Sequence, residues 1–256
     1  MSSIFGNQSD FSLDTHSVLT DLDRSLHSSS IGDQCEGIVK VPSLFERYPF
    51  PILINAASLK LSEVYHEGSN FLRILILQVF KESEKHLDKI LNIDEFVRHL
   101  FAVSYSNDPL ARSITLQTLG HIARIVSNNK NIHNFIRNSL ESNDEQEVHA
   151  AIEASVQFAI QSKEFAQNIY PKVIYMIEGL TTSMDIKICL LEVINNLHHN
   201  FAIVEDARNK LISFLEKYPE KNFLCQNLHT LTSIASSSIT HIPDQVELLL
   251  DYYMND

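Results

Sequence analysis

Tryptophan is absent from this sequence, and six glycines and seven prolines make up only about 5% of its 256 residues, against roughly 12% in average usage. So little turn-forming material excludes a turn-rich all-β fold. Cysteine is nearly as sparse: Cys35, Cys189 and Cys225 are odd in number and far apart, without the close pairs that zinc sites use, so a reduced compartment fits. Positive charge is also short, with 20 Lys and Arg against 32 Asp and Glu and a net charge of −12. Nucleic-acid binding draws its strength from clustered basic residues, and the densest basic stretch, Lys81 to Lys89, is interleaved with Glu82, Glu84 and Asp88. No direct nucleic-acid binding is expected. The longest apolar run, Phe71 to Phe80, carries Arg73 and Gln78 and is too short for the ~20 residues of a membrane span. Met1 to Asp10 lack the basic start and apolar run of a signal peptide. These absences describe a soluble, mainly helical chain with no membrane segment.

What is present is organised around Ser106 to Ile125. Asp108 is suited to cap a helix and Pro109 to fill its first position, where a missing N–H costs nothing. Ala111, Ile114, Thr118, Leu119, Ile122 and Ile125 then recur every three or four residues, forming a face that other helices must cover. Gly120 inside this helix costs about 1 kcal/mol relative to Ala; it is either simply tolerated or marks a close helix approach. The order Asp-Pro, then Arg112, then Leu119-Gly120 resembles the second helix of a HEAT repeat.

The same pattern recurs along the chain. Residues 1–15 are Ser-rich and read as a flexible N-terminal tail, with order beginning near His16 and a helical-repeat array filling 16–256. Val18, Leu19, Leu22 and Leu26 mark a first helix. A second is predicted over about Asp33 to Tyr48, interrupted or kinked at Pro42, and Tyr48-Pro49-Phe50-Pro51 is a rigid connector. A helix from Ile52 should stop at Gly68. Another, Phe71 to His86, is apolar on nearly every side and should be the most buried. Later second helices are predicted to begin near Asp108, Asp144, Ser183 and Pro219, at separations of 36, 39 and 36 residues, a solenoid period. Each such hairpin leaves an apolar face that only its neighbour covers. The last helix, Ile242 to Met254, has no following partner and no polar cap, as expected of a fragment or short form of a longer array. The fold expected is an all-α, HEAT/armadillo-like α-solenoid of stacked helical hairpins.

Chemistry finds little purchase. His198-His199 are adjacent and point about 100° apart on a helix, poor geometry for one ion. Glu82/His86 and Glu145/His149, at i,i+4, read as surface pairs. Cys225 and His229 share that spacing, and core packing is the expected role of the cysteine. No Gly-x-Ser-x-Gly elbow or phosphate-cradling glycine motif occurs. Without Trp, Asn195-Asn196 does not build the Trp and Asn ladder with which importin-like solenoids read basic peptides. No catalytic, cofactor-binding or metal-ligating residue is nominated, no cofactor is expected, and partner-binding residues do not stand out.

Specific words in the sequence narrow the family. Gly32-Asp33-Gln34-Cys35-Glu36, Tyr48-Pro49-Phe50-Pro51-Ile52-Leu53-Ile54-Asn55, Asn70-Phe71-Leu72-Arg73, Ser83-Glu84-Lys85-His86-Leu87, Lys89-Ile90-Leu91-Asn92, Asp94-Glu95-Phe96-Val97 and Ser106-Asn107-Asp108-Pro109 together resemble the N-terminal portion of the Integrator complex subunit 7 family. The match is strongest between Gly32 and Leu116. It implies a non-catalytic helical-repeat scaffold in a nuclear assembly attached to RNA polymerase II, which cleaves nascent transcripts, matures small nuclear RNA 3′ ends and attenuates transcription through enzymatic activities held by other subunits. It also implies other Integrator subunits as partners, RNA polymerase II as an indirect one, and a link to DNA-damage signalling. A stand-alone transport or trafficking adaptor built on the same repeats is the competing expectation, and a basic concave groove would favour RNA binding.

Overall fold

The computed structural model describes residues 6–197, 201–236 and 239–255, and every regular element among them is helical. The chain divides into two compact units, Met1–Val126 and Ser127–Asp256.

The first unit contains α1 (Gly6–Leu26), α2 (Ile31–Arg47), α3 (Pro51–Glu67), α4 (Asn70–Glu82), α5 (Ile93–Ala102), α6 (Pro109–His121) and the single turn α7 (Ala123–Val126). Consecutive helices pair as hairpins. Across them, α1, α3 and α5 pack side by side as a layer of first helices, and α2, α4 and α6 as a layer of second helices. The interface between the layers is apolar: Phe45, Tyr65, Phe80 and Phe96 are fully buried, and the rings of Phe80 and Phe96 meet edge-on at 5.3 Å. Its polar inclusion is satisfied locally, because the Tyr65 hydroxyl lies 3.1 Å from both Thr115 Oγ1 and Thr118 Oγ1 of α6. Burial pushes that phenol's pKa up.

The second unit contains α8 (Lys130–Ser139), α9 (Glu145–Gln161), α10 (Lys163–Glu178), α11 (Met184–Asn195), α12 (Phe201–Lys217), α13 (Lys221–Ser236) and α14 (Ile242–Asn255). Here α9, α11 and α13 form the second-helix layer. Phe158, Phe165, Phe214 and Phe223, from both layers, are this unit's largest fully buried side chains.

The repeat is written in the helix caps. Second helices start behind Ser30, Ser69, Asp108, Asp144 and Ser183, spaced 39, 39, 36 and 39 residues apart. Asp108 accepts from Leu110 N at 3.0 Å and Asp144 from Glu147 N at 2.9 Å, whereas Ser69 makes no side-chain cap bond. The period thus reaches back to Ser30, well before the first start read from the sequence, and α13 begins two residues after Pro219. Contacts between neighbouring hairpins repeat it again. Lys60 pairs with Asp23, Asn70 donates to Asp108, Asn55 accepts from Leu91 N and Asn92 N, Tyr170 donates to Asp206, and Arg208 pairs with Asp244, all 36 to 38 residues apart.

Several expectations change. Helical backbone begins at Gly6, ten residues ahead of His16. Pro42 does not interrupt α2, which runs on through it. The helix predicted to reach His86 ends at Glu82, and a 3₁₀ segment follows over Glu84–Lys89. That tighter winding nearly eclipses residues three apart, and it sends both Leu87 and Ile90 into the core. Nor is α4 the most buried helix. Leu72, Ile76, Val79 and Phe80 are buried, but Phe71 and Ile74 are 57% and 47% exposed. Neighbours α2, α3 and α6 cover three sides, and the fourth carries Phe71, Ile74, Gln78 and Lys81 outward. The helix opened by Asp108 also breaks at Ile122, so its face is divided between α6 and α7. Gly120 is buried near the end of α6, and a tight helix approach occurs at Gly37, where a Cβ would lie 2.8 Å from Ser25 Cβ of α1.

Candidate interaction surface

The side chains singled out for possible chemistry remain dispersed. His86 approaches Glu46, at 3.4 Å, while Glu82 accepts from Gln78. His149 lies 3.9 Å from Glu145 on a wet face. Among the described residues, no three His, Cys, Asp or Glu side chains gather at a spacing that would hold a metal ion, and His198-His199 fall outside those residues. Cys225 is exposed, which corrects its assignment to the core: α13 buries Phe223, Asn227, Thr230 and Leu231, and position 225 points about 200° from 223. Burial, with Glu192, Asp185 and Glu153 nearby, raises the Cys189 thiol pKa, opposite to what a reactive cysteine needs. Asn196 donates to Glu192 O within its own helix. No helix among the described residues is long and apolar enough to cross a membrane.

Several lysines are engaged with carboxylates. Lys60–Asp23, Lys85–Glu46, Lys130–Glu164, Lys172–Glu141 and Lys210–Glu178 link different segments. The Lys60 ammonium holds Asp23 below its usual range, Lys85 does the same for Glu46, and Lys130 for Glu164. Such pairing lowers the positive charge each offers to an incoming phosphate.

What the fold does offer is an outward stripe on the second helices α2 and α4, set by layer packing. On α2 this stripe carries Ile31 and Val39, both 62% exposed, and on its neighbour α4 it carries Phe71 and Ile74. Spacings of eight and three residues keep each pair on one helix face. Exposed large apolar side chains on adjoining helices are characteristic of protein interaction surfaces. Phe71, Tyr105, Tyr175 and Tyr253 are more than half exposed.

A family model described as "Integrator complex subunit 7, N-terminal" matches residues 19–256. The chain belongs to that family. Integrator complex subunit 7 of Gallus gallus and of Homo sapiens are each 48% identical to it over 244 residues, covering 95% of this chain and 25% of theirs. The Drosophila melanogaster protein is 43% identical over 93% of this chain and 24% of its own length. The chain therefore spans about a quarter of the length of the curated relatives it matches. Two solved structures share the fold at low identity. A designed armadillo repeat protein in complex with the peptide (KR)4 gives a TM-score of 0.61 at 12% identity, covering 84% of this chain and 99% of that one. Another designed armadillo repeat protein gives 0.59 at 13% over the same shares. The fold of this Integrator subunit 7 family member is an all-α solenoid of the armadillo type.

Proposed function

We propose that this chain is a non-catalytic scaffold segment of the Integrator assembly, acting in the nucleus through contacts with other Integrator subunits and reaching RNA polymerase II only through them. On this reading it supports small nuclear RNA 3′-end processing and transcription attenuation by positioning enzymes carried elsewhere, and it shares the family's link to DNA-damage signalling. The observation that carries the reading is 48% identity to Integrator complex subunit 7 over 95% of the chain. One feature is consistent with it: α2 and α4 turn large apolar groups to solvent. The paired lysines and the net charge of −12 support a surface that meets protein rather than nucleic acid.

The test is recovery of partners from nuclear extract by the tagged 256-residue chain. Integrator subunits should co-purify at moderate salt. The triple variant Val39→Glu, Phe71→Glu, Ile74→Glu should lose at least tenfold of that recovery while its thermal unfolding stays near that of the parent, since exposed substitutions cost within about 0.5 kcal/mol each. Transport factors recovered in place of Integrator subunits would favour the adaptor reading, and undiminished recovery by the variant would remove the α2–α4 stripe from the interface.

A further inference from the structure

Within the second unit, α8 and α10 enclose a cleft of about 270 Å³. From α8 it is lined by Lys130, His133, Asn134 and Arg137, the i, i+3, i+4, i+7 face of that helix, and from α10 by Glu164, Phe165, Asn168 and Ile169. Its floor is fixed. Phe165 and Ile169 are each 1% exposed, and the His133 ring lies 4.9 Å from the Phe165 ring. The same imidazole holds its Nε2 2.7 Å from Ser127 O. One end is closed by the Lys130–Glu164 pair at 2.9 Å.

The rest of the cleft is different. Asn134, Arg137 and Asn168 are exposed there and form no side-chain hydrogen bond within the chain. Arg137 also lacks an obvious counter-ion: Glu164 is taken by Lys130, Glu141 by Lys172 and Glu178 by Lys210. The α8 helix itself contains no acidic residue. A guanidinium thus stands among occupied carboxylates in a chain of net charge −12, near enough to Lys172 to help burial depress that ammonium's pKa. With no counter-ion inside the chain, the guanidinium is open to an anion from outside.

We propose that this cleft recognises an acidic side chain on an extended segment of a partner protein. Arg137 takes the carboxylate through two parallel N–H···O bonds, the geometry that suits its planar fork. Asn134 and Asn168 hold the adjoining peptide unit, because a carboxamide both donates to a backbone C=O and accepts from a backbone N–H. The apolar floor of Phe165 and Ile169 meets the methylene stem of the bound side chain. A nucleic-acid strand fits less well, since its next phosphates would meet Glu164 and Glu141 at the rim.

The site is read on the isolated chain, so its failure leaves membership of the assembly standing. The ¹⁵N-labelled 256-residue protein would be titrated with blocked Ala-Glu-Ala, with blocked Ala-Gln-Ala and with hexauridine, following side-chain N–H resonances of Asn134, Asn168 and Arg137. The Glu peptide should shift all three saturably, at the roughly millimolar level that one anchored side chain supports. The Gln peptide should bind at least tenfold more weakly. Arg137→Gln should remove the preference for Glu, and Asn168→Ala should weaken both peptides, each with unchanged thermal unfolding. Equal response to Glu and Gln, no saturable shift, or the same resonances moving with hexauridine and not with peptide would overturn the proposal.

Discussion

The second-helix layers of the two units are built alike and finished differently. In the first unit the outward stripe carries Ile31 and Val39 on α2 and Phe71 and Ile74 on α4. In the second unit the corresponding positions are Glu153 and Gln157 on α9, Asp185 and Glu192 on α11, and Cys225, His229 and Thr232 on α13, all exposed or nearly so. The second unit concentrates its exposed apolar side chains on α14, where Val246, Leu250, Tyr253 and Met254 are each at least half exposed. Stacking fixes which side of a second helix faces out; composition at three or four positions then decides whether that side is sticky or wet. A helix in such a stack therefore has to be read for its fourth side as well as its core.

The sharpest way to test that division is inside a single helix. Phe80 and Phe71 are the same residue type nine positions apart on α4, one fully buried and the other 57% exposed. Phe80→Ala should cost about 3–5 kcal/mol by opening a cavity beside Phe96, while Phe71→Ala should stay within about 0.5 kcal/mol. Urea denaturation of both variants checks this, and similar losses would mean that α4 is covered on all four sides. Next in size is Gly37, where α1 and α2 approach too closely for a side chain. Gly37→Val should destabilise by about 1–3 kcal/mol through overpacking, and an unchanged denaturation midpoint would refute that tight approach.

How much of this was open to reading the chain depends on how local each feature is. Asp108, Asp144 and Ser183 were legible because a cap and the apolar period behind it lie within one or two helical turns. Ser30 and Ser69 open second helices as well, but Ser69 makes no cap bond and Ser30 a long one of 3.5 Å, so their signal lies in the spacing alone. The run Ile74-Leu75-Ile76-Leu77 was misread because a continuous apolar stretch has no period to say which side is covered. Gly37 carries no sign of Ser25, twelve residues away. The α8–α10 cleft needed Asn134 and Asn168 brought together across 34 residues, and neither is unusual where it stands. A fold made of repeats announces itself locally, whereas a surface made between repeats does not.

The caps offer a comparison of smaller amplitude. Asp144 accepts from Glu147 N at 2.9 Å and Ser69 from no backbone donor. Asp144→Ala should then cost about 1 kcal/mol and Ser69→Ala only a few tenths, measured as shifts in denaturation midpoint. Equal effects would show that spacing, not the cap bond, sets these helix starts.

The smallest expected effect separates two ion pairs that link neighbouring hairpins. Asp23 is held below its ordinary pKa first by the hydrogen bond from Lys60, and Glu164 by that from Lys130. A carboxyl whose folded pKa is depressed binds its proton more readily in the unfolded chain, so its stabilisation is present above the unfolded value of about 4 and fades as pH falls through the folded one. The melting-temperature advantage of the parent over Asp23→Asn, and over Glu164→Gln, should be fully present near pH 7 and shrink as the pH drops below about 4. Salt distinguishes the two. The Lys60–Asp23 side chains are 30% and 44% exposed, against 73% and 51% for Lys130–Glu164. At about 1 M salt the Debye length falls to about 3 Å, which should erase the Glu164 difference and leave part of that of Asp23. If both vanish together, the Lys60–Asp23 contact of the first unit is as wet as its counterpart in the second, and its partial burial contributes nothing to the pair.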